Sequence, residues 1–227
     1  MTLKQQIAGA LADMRGSSPL IHCITNYVTA GDTANMLLAA GASPIMADDP
    51  SESAEITALA QGLTLNLGTP SGSRVEAMLR SGAEANRCGI PVVFDPVGAG
   101  CSGFRRNSAG EILRRVRLTA IRGNLSEISY LAGFESRENG VDSSETRITA
   151  AEAAQTAAKK LGCVCAVTGE RDVISDGSRT VTILSGTPLL KKVTGAGCMT
   201  SALCAAMCTA ADGFVGAAAG IALMDIC

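Results

Sequence analysis

Residues 63–94 read LTLNLGTPSGSRVEAMLRSGAEANRCGIPVVF, and this stretch indicates the architecture of the whole chain. Two short apolar runs, Leu63 to Leu67 and Pro91 to Phe94, lie on either side of a longer helical stretch, Ser71 to Arg87. Short apolar runs separated by a helix are typical of a βαβ unit, in which the two strands lie parallel. The stretch therefore predicts an α/β protein built around a parallel sheet.

The same alternation continues in both directions along the chain. We predict four more strands and two more helices, at Leu20 to Ile24, Ser43 to Met46, Ala120 to Arg122, Val164 to Thr168, Thr33 to Ala40 and Arg105 to Arg115. Near the C-terminal third, Val173 to Ser175 and Thr180 to Leu184 flank Asp176-Gly177, a dipeptide typical of a tight hairpin. We expect this hairpin at the edge of the sheet, followed by the helix Met199 to Ala210 and an alanine-rich helix.

Length and composition bound the domain organisation. The 227 residues are 47% hydrophobic and 18% charged, which suits one compact domain with a large core. We predict a single domain over residues 1–227, layered α-β-α with a central, mostly parallel sheet. The polar stretch Glu135 to Thr149 is predicted to be a loop in solvent.

Charge and hydropathy exclude several classes of partner. With 19 basic and 21 acidic residues the net charge is only -2, so no positive field attracts nucleic acid. The opening MTLKQQIAGALADMRG is typical of an amphipathic helix rather than a secretion signal, and no apolar run reaches the roughly 20 residues of a membrane span. We expect a cytoplasmic protein whose partners are small molecules or copies of itself, with neither nucleic acid nor membrane.

Cysteine and histidine usage limits the chemistry further. The nine cysteines are scattered through predicted strands and helices without zinc-finger spacing, which favours reduced thiols. His22, the only histidine, lies inside the first predicted strand, where we expect it to be buried with its hydrogen bonds satisfied. A Ser-His-Asp or Cys-His hydrolase is therefore hard to build from this sequence.

The most informative functional segment is Val193-Thr-Gly-Ala-Gly-Cys198, a glycine turn that leads directly into a helix. Free backbone N–H groups and the helix dipole bind anions at such a turn, and glycine lets phosphate approach the backbone. Cys198 falls on the first helical turn, where the dipole is expected to lower the thiol pKa and favour the thiolate. The alternative is a structural turn with a small buried cysteine.

A second glycine cluster, Gly98-Ala-Gly-Cys-Ser-Gly103, fits the G-x-G-x-x-G pattern of dinucleotide binding. Two features argue against that interpretation: Asp95-Pro96 interrupts the passage from strand to turn, and the motif does not follow the first strand. An NAD-dependent oxidoreductase that uses residues 98–103 remains an alternative hypothesis. The chain has no G-x-x-x-x-G-K-[ST] motif, so a nucleotide must be held without a Walker loop.

Charged residues follow two neighbouring predicted strands. Asp95 ends one apolar strand, and Arg122 and Glu127 lie at the next passage from strand to helix. Two carboxylates at strand ends are suited to hold magnesium for phosphoryl transfer, and a guanidinium beside them suits phosphate oxygens. Helix and turn capping is the alternative role for either carboxylate.

Seven blocks, in order, resemble the hydroxyethylthiazole kinase family, and together they cover nearly the whole chain. They are Pro19-Leu-Ile-His-Cys-Ile-Thr-Asn-Tyr-Val-Thr29, Gly41-Ala-Ser-Pro-Ile-Met46, Leu65-Asn-Leu-Gly-Thr69, Asp95-Pro-Val-Gly98, Ile121-Arg-Gly-Asn124 with Glu127, Val167-Thr-Gly-Glu170 and Val193 to Cys198. The resemblance implies a ribokinase-like fold, a homotrimer with active sites at subunit interfaces, and ATP- and Mg²⁺-dependent phosphorylation of 4-methyl-5-(2-hydroxyethyl)thiazole in thiamine salvage. A ribokinase-like kinase of another small alcohol is the nearest alternative.

The resemblance also implies roles for individual residues. The substrate-binding set is Met46, Gly195, Asn26 and Gly68, and the ATP-binding set is Arg122, Thr168, Asn124 and Gly197. Asp95 and Glu127 are implied at the metal. Cys198 is implied as the catalytic residue, in the place where the wider superfamily has an aspartate base. The chain ends at Met224-Asp-Ile-Cys227, where family members continue, so we expect a truncated C-terminus.

Overall fold

The computed structural model describes residues 1–134 and 148–226. In these ranges the eight strands are β1 Leu20–Ile24, β2 Ser43–Ile45, β3 Gly62–Asn66, β4 Val92–Asp95, β5 Ala120–Gly123, β6 Val164–Val167, β7 Asp172–Ser175 and β8 Thr180–Ile183. The helices are α1 Leu3–Ser17, α2 Ala30–Ala40, α3 Ser53–Leu59, α4 Gly72–Cys88, α5 Gly103–Arg115, α6 Leu125–Ala132, α7 Ala150–Leu161, α8 Ala196–Met207 and α9 Gly213–Ile226, with a short 3-10 helix at Pro188–Lys192.

The strands form one sheet in the order β2-β1-β3-β4-β5-β6-β7-β8. The pairs from β2 to β6 are parallel, and β6-β7 and β7-β8 are antiparallel. The predicted central parallel sheet is confirmed, and so is the hairpin at its edge, where Gly177 adopts the positive φ of 90° that the turn requires.

Helices cover both faces of the sheet, which confirms the layered α-β-α prediction. On one face α8 and α9 pack with α1 and α2 in one apolar cluster, and on the other α4, α5, α6 and α7 form a second cluster. Helix α8 is buried over nearly its whole length, and small residues let α9 pack closely against it. A Cβ on Gly220 would lie 2.5 Å from the backbone nitrogen of Cys204, so only glycine fits there.

Most predicted boundaries agree with the structure to within a few residues. The predicted helix Met199 to Ala210 begins earlier, at Ala196, and ends at Met207. The predicted polar loop 135–149 lies outside the described residues except for its last two positions. His22 is fully buried as expected, with Nε2 2.7 Å from the carbonyl oxygen of Ala47 and Nδ1 2.8 Å from the hydroxyl of Thr57.

Candidate active site

The loops that follow the parallel strands bring most of the predicted site residues to one edge of the sheet. Asp95 ends β4, and Asn26, Gly68, Asn124 and Thr168 each follow within two residues of the strands β1, β3, β5 and β6. The carboxyl ends of parallel strands share one edge, and this edge is where ligands bind in open α/β sheets. The sequence-based placement of these residues is therefore consistent with one site.

Helix α8 begins above this edge in a turn that we call the glycine cup, residues 195–198. Gly195 has a φ of 80°, and a Cβ there would collide with the side chain of Thr29. A Cβ on Gly197 would collide with the guanidinium of Arg122. The first turn of a helix presents backbone N–H groups without intrahelical partners, so the cup places amides and an arginine around one small space.

Arg122 extends from β5 toward the cup and is held by its neighbours. Its Nη2 donates a hydrogen bond to Oγ1 of Thr168, and its Nη1 lies 3.7 Å from Oδ2 of Asp95. Its Nε has no hydrogen-bond partner among the described residues. Arg122, Thr168 and Gly197 line a cavity of about 250 Å³. The arrangement leaves a buried cationic donor available to an anion that enters this cavity.

Asp95 is completely buried beneath the cup. Its Oδ2 accepts hydrogen bonds from Nδ2 of Asn66 at 2.9 Å and from the hydroxyl of Ser201 at 2.8 Å. Its Oδ1 has no hydrogen-bond partner in the described part of the chain. Burial raises the pKa of Asp95 to about 6, with Glu127 adding to the rise and Arg122 opposing it. A buried carboxylate with one free oxygen is an unstable arrangement unless a ligand completes it.

Cys198, at the end of the cup, faces the loop after β1. Its Sγ accepts a hydrogen bond of 3.1 Å from Nδ2 of Asn26, whose Oδ1 in turn accepts one from the hydroxyl of Thr29. Burial raises the pKa of the Cys198 thiol, and the charge of Asp95 raises it further. The prediction that the helix dipole would lower this pKa is therefore wrong in its net direction, because the loss of solvent and a nearby carboxylate dominate.

Asn124 and Glu127 form the N-terminal capping box of α6. Glu127 accepts the backbone N–H of Asn124 through Oε2 at 2.8 Å and that of Gly98 through Oε1 at 2.9 Å. The capping role considered for Glu127 is therefore present, and its carboxylate also holds the Gly98 segment against α6. Asp95, by contrast, caps no helix among the described elements and faces the site.

The G-x-G-x-x-G segment does not form a dinucleotide site. Its first amide, at Gly98, is bonded to Glu127, and α5 begins only at Gly103, with the hydroxyl of Ser102 capping it by accepting from the N–H of Arg105 at 3.2 Å. The amides of Gly98, Ala99 and Cys101 are thus bonded within the protein itself. The alternative hypothesis of an oxidoreductase is not supported.

Met46, another predicted site residue, lies at the edge of the sheet. It follows β2, the outermost strand on that side, and its side chain is 39% exposed. Gly68 contacts the polar cluster at the strand ends: its N–H donates to Oδ1 of Asn66 at 2.8 Å, and a Cβ there would lie 2.7 Å from Cβ of Asn26. Asn26, Met46 and Gly68 therefore follow the neighbouring strands β1, β2 and β3 at one side of the sheet.

Two residues of the cluster were not predicted from the sequence. Asn66 connects Asn26, Gly68 and Asp95 by hydrogen bonds, and Ser201 connects α8 to Asp95. Asn66 has a sequence signal, because it is an amide inside the buried run Leu63 to Leu67. Ser201 has a weaker one, since it lies one helical turn after the glycine cup.

Metal-ligand clusters, membrane-spanning helices and disulfides were sought among the residues that the structure describes. In these, no cluster of three or more His, Cys, Asp or Glu side chains forms a metal site, and no helix is both long and apolar enough to cross a membrane. The eight described cysteines are all free thiols.

A layered sheet of this topology, with a glycine cup, an arginine and a buried carboxylate at the strand ends, defines a small-molecule kinase with a ribokinase-like fold. The fold is shared with Bacillus subtilis pyridoxal kinase in an ADP complex, at a TM-score of 0.64 and 18% identity, covering 89% of this chain and 88% of that one. At this identity the likeness concerns the fold alone.

The chain belongs to the hydroxyethylthiazole kinase family, whose sequence model matches residues 11–227. A hydroxyethylthiazole kinase from Ruminiclostridium cellulolyticum is 50% identical over 226 residues, 98% of this chain and 83% of the relative. One from Clostridium beijerinckii is 48% identical, over 97% of this chain and 82% of the relative. The structure of the Pyrococcus horikoshii protein matches with a TM-score of 0.86 at 38% identity, covering 96% of this chain and 82% of that one.

Proposed function

We propose that this chain transfers the γ-phosphate of ATP to the hydroxyl of 4-methyl-5-(2-hydroxyethyl)thiazole, a step of thiamine salvage, and acts as one kinase domain over residues 1–227. The observation that carries the proposal is the meeting of three groups in one place. The glycine cup packs against the guanidinium of Arg122 at Gly197, Arg122 lies 3.7 Å from Asp95, and the cup ends at Cys198, whose thiol pKa the charge of Asp95 raises. This is the set of groups that in-line phosphoryl transfer needs.

The phosphate side of the reaction belongs to the cup and the end of β5. Backbone amides of Gly197 and Cys198 and the guanidinium of Arg122 bind the oxygens of the transferred group, and Thr168 orients the arginine through its hydrogen bond. Asn124 lines the same cavity and completes the ATP-binding set. These donors stabilise the charge of the transition state because they are fixed before the reaction begins.

Cys198 faces the acceptor hydroxyl. Its pKa is raised, so the thiol is protonated at neutral pH and is a poor base at the start of the reaction. In a loose phosphoryl-transfer transition state the alcohol loses its proton late. Cys198 therefore contributes mainly by orienting the hydroxyl, held in turn by Asn26.

The thiazole lies against the ends of β1, β2 and β3. Asn26, Gly68 and Gly195 form the inner wall, where the two glycines pack directly against Asn26 and Thr29, and Met46 provides an apolar contact at the outer side. Sulfur–aromatic contact suits methionine to this position. The nearly neutral substrate agrees with the modest net charge of the chain.

Asp95 and Glu127 are the proposed side chains for a magnesium ion. The fit rests on the free Oδ1 of Asp95 and on Glu127, which is close enough for its charge to raise the pKa of Asp95. Mg²⁺ is commonly held by one or two carboxylates together with substrate phosphates and water, so a larger protein cage is not needed. When bound, the ion neutralises charge on the phosphates.

We also propose a homotrimer with active sites at subunit interfaces, located in the cytoplasm. Tyr27 and Val28, directly after Asn26, are 73% and 58% exposed, and Met46 is also accessible. Large apolar side chains at the border of a site indicate a surface that another subunit covers. The mass in solution, measured by light scattering, tests this arrangement.

The decisive experiment measures ADP release and the phosphorylated product with the purified chain, ATP, Mg²⁺ and the thiazole alcohol. We expect ADP formation to depend on the thiazole, and the product to carry one added phosphate by mass spectrometry. A panel of other small alcohols, including pyrimidine and sugar alcohols, should give much lower kcat/KM. ADP release that is equal with and without the thiazole contradicts the proposal.

A further inference from the structure

The cavity beside the glycine cup is lined by groups of opposite charge. Its lining includes Arg122 and Gly197 as well as the carboxylates of Asp172 and Asp225, which we call its acidic end. The apolar side chains of Leu190 and Ile221 also line it. Nothing in the proposed phosphoryl transfer uses the acidic end, although it opens into the same space.

Asp172, the first residue of β7, is 2% exposed. Its Oδ1 accepts the N–H of Gly169 at 2.9 Å, but its Oδ2 has no hydrogen-bond partner among the residues described. Burial raises the pKa of Asp172 to about 7, and the nearby Asp225 contributes to the rise. A buried carboxylate oxygen without a donor, close to a second carboxylate, destabilises the folded state. A ligand that donates hydrogen bonds to Asp172 would offset this cost and would explain why residue 172 is an aspartate.

Asp225 approaches from the other side, on α9. Its Oδ2 accepts a hydrogen bond of 2.9 Å from the hydroxyl of Ser185. The two carboxylates therefore come from separate elements, β7 and α9, and each is held by one donor of the protein. Asp225 lies close enough to Asp172 to raise its pKa, and both carboxylates line the cavity.

The ligand that matches this cavity is anionic at one end and rich in neutral hydrogen-bond donors at the other. Gly169, which donates to Asp172, directly follows Thr168, which is bonded to Arg122. The charge of Arg122 also lowers the pKa of Asp172, so the two ends are close together. In a nucleoside triphosphate the donors nearest the phosphates are the ribose hydroxyls, whereas the exocyclic amine of adenine lies on the far side of the base.

We propose that Asp172 and Asp225 bind the vicinal hydroxyls of the ribose of the nucleotide substrate. Carboxylates accept hydrogen bonds from ribose hydroxyls in many nucleotide sites, and the apolar side chains of Leu190 and Ile221 suit the carbon face of the sugar. This inference rests on the proposed function, since it needs the phosphates of ATP at the cup. It makes the pair a determinant of specificity for ribonucleotides over deoxyribonucleotides.

The test is a direct binding titration of the full chain, with Mg²⁺, using ATP, 2′-deoxy-ATP and 3′-deoxy-ATP. We expect the wild-type Kd to rise about tenfold when a hydroxyl is removed, because a hydrogen bond to a charged group is lost. Asp172→Asn and Asp225→Asn should each raise the Kd for ATP about tenfold. In each variant the Kd values for ATP and for the two deoxynucleotides should be equal. Asp13→Asn on the exposed face of α1, the same chemical change, should leave all three Kd values unchanged.

Several results overturn the inference. One is equal binding of ATP and both deoxynucleotides by the wild type, and another is an unchanged deoxynucleotide penalty in both variants. Inosine triphosphate keeps both ribose hydroxyls but lacks the exocyclic amine of ATP. If it binds more weakly than ATP while both deoxynucleotides bind as tightly as ATP, the acidic end binds the amine of the base instead. Failure of the proposed function gives a different pattern: the ribose discrimination persists in binding while thiazole-dependent ADP release is absent.

Discussion

Among the described residues, two turns with the spacing G-x-G lead into helices, at residues 98–103 and 195–198, and the second of them forms a candidate anion site. The Gly98 turn (residues 98–103) precedes α5 on the surface, where Ser102 caps the helix and the amide of Gly98 is bonded to Glu127. The glycine cup precedes α8 with no side-chain cap, and it faces the partly buried Arg122. Glycine spacing alone does not distinguish the two turns. What distinguishes them is whether the backbone donors are already bonded within the protein.

Gly197→Ala is expected to have the largest effect, because the new Cβ collides with the guanidinium of Arg122. Displacing that donor and narrowing the cup should lower kcat/KM by about 10²- to 10³-fold. The matched control is Gly103→Ala in the other turn, where a Cβ would lie 3.9 Å from the nearest atom. Steady-state kinetics on both variants measures the contrast, and near-wild-type turnover of Gly197→Ala would remove the cup from the mechanism.

Arginines distinguish the two turns as well. Arg122→Lys keeps the positive charge but loses the planar donor set, and we expect kcat/KM to fall about 10- to 100-fold, with a rise in the KM for ATP. Arg106, which donates to the carbonyl oxygen of Gly100 at 2.9 Å in the Gly98 turn, serves as the control. Arg106→Lys should leave both constants within about twofold. Equal effects in the two variants contradict a phosphate role for Arg122.

Each turn also carries a cysteine. Cys198→Ala should lower kcat about tenfold, less than the loss of a general base, while Cys101→Ala, at an exposed position, should leave kcat unchanged.

The raised pKa of Cys198 predicts slow alkylation by iodoacetamide at neutral pH and a rate that increases as the pH rises above the usual thiol range. Mass spectrometry of timed samples follows each thiol. Rapid labelling of Cys198 at pH 7 would show that a thiolate is present.

The smallest expected effect is on stability, at the acidic end of the cavity. Asp172 faces Asp225 and Arg122, and its folded pKa of about 7 lies above its unfolded value. The native state therefore binds a proton that the unfolded state has lost, so stability falls as the pH rises from about 4 through 7. Asp172→Asn removes this contribution, because the amide can donate to Asp225.

We expect Asp172→Asn to raise the urea midpoint relative to the wild type at pH 8 and to have little effect at pH 5. Asp13→Asn should have the same urea midpoint as the wild type at both pH values. The midpoint is read from circular dichroism at 222 nm. A variant that is less stable than the wild type at pH 8 would mean that the ionised carboxylate of Asp172 has a stabilising partner.

The sequence predicts local structure well where one element carries its own signal. Leu63 to Leu67 and Pro91 to Phe94 differ from β3 and β4 by one residue at each end, because an apolar run bounded by glycine or proline has few alternatives. Asp176-Gly177 predicts the hairpin for the same reason. The glycine cup is also visible in the sequence, since its glycines precede a helical run directly.

The features that were not predicted from the sequence depend on contacts between residues that are distant along the chain. The pKa of the Cys198 thiol is raised, whereas its position on the first helical turn predicts a lower value. Burial and the charge of Asp95 cause the rise, and both depend on the tertiary structure. The hydrogen bonds that join Asp95 to Asn66 and Ser201 connect positions 29 and 106 residues apart. The pair of Asp172 and Asp225 is invisible to motif analysis, because neither residue lies in a motif.

The amino-acid sequence by itself determined the alternation of strands and helices, the parallel core and the two glycine turns, because these follow from apolar periodicity and from backbone conformations that glycine permits. Only the tertiary structure decided which turn keeps its amides for a ligand, which carboxylates are buried, and in which direction their pKa values move. Those properties depend on the solvent and charge that surround a group, and packing, rather than chain order, supplies both.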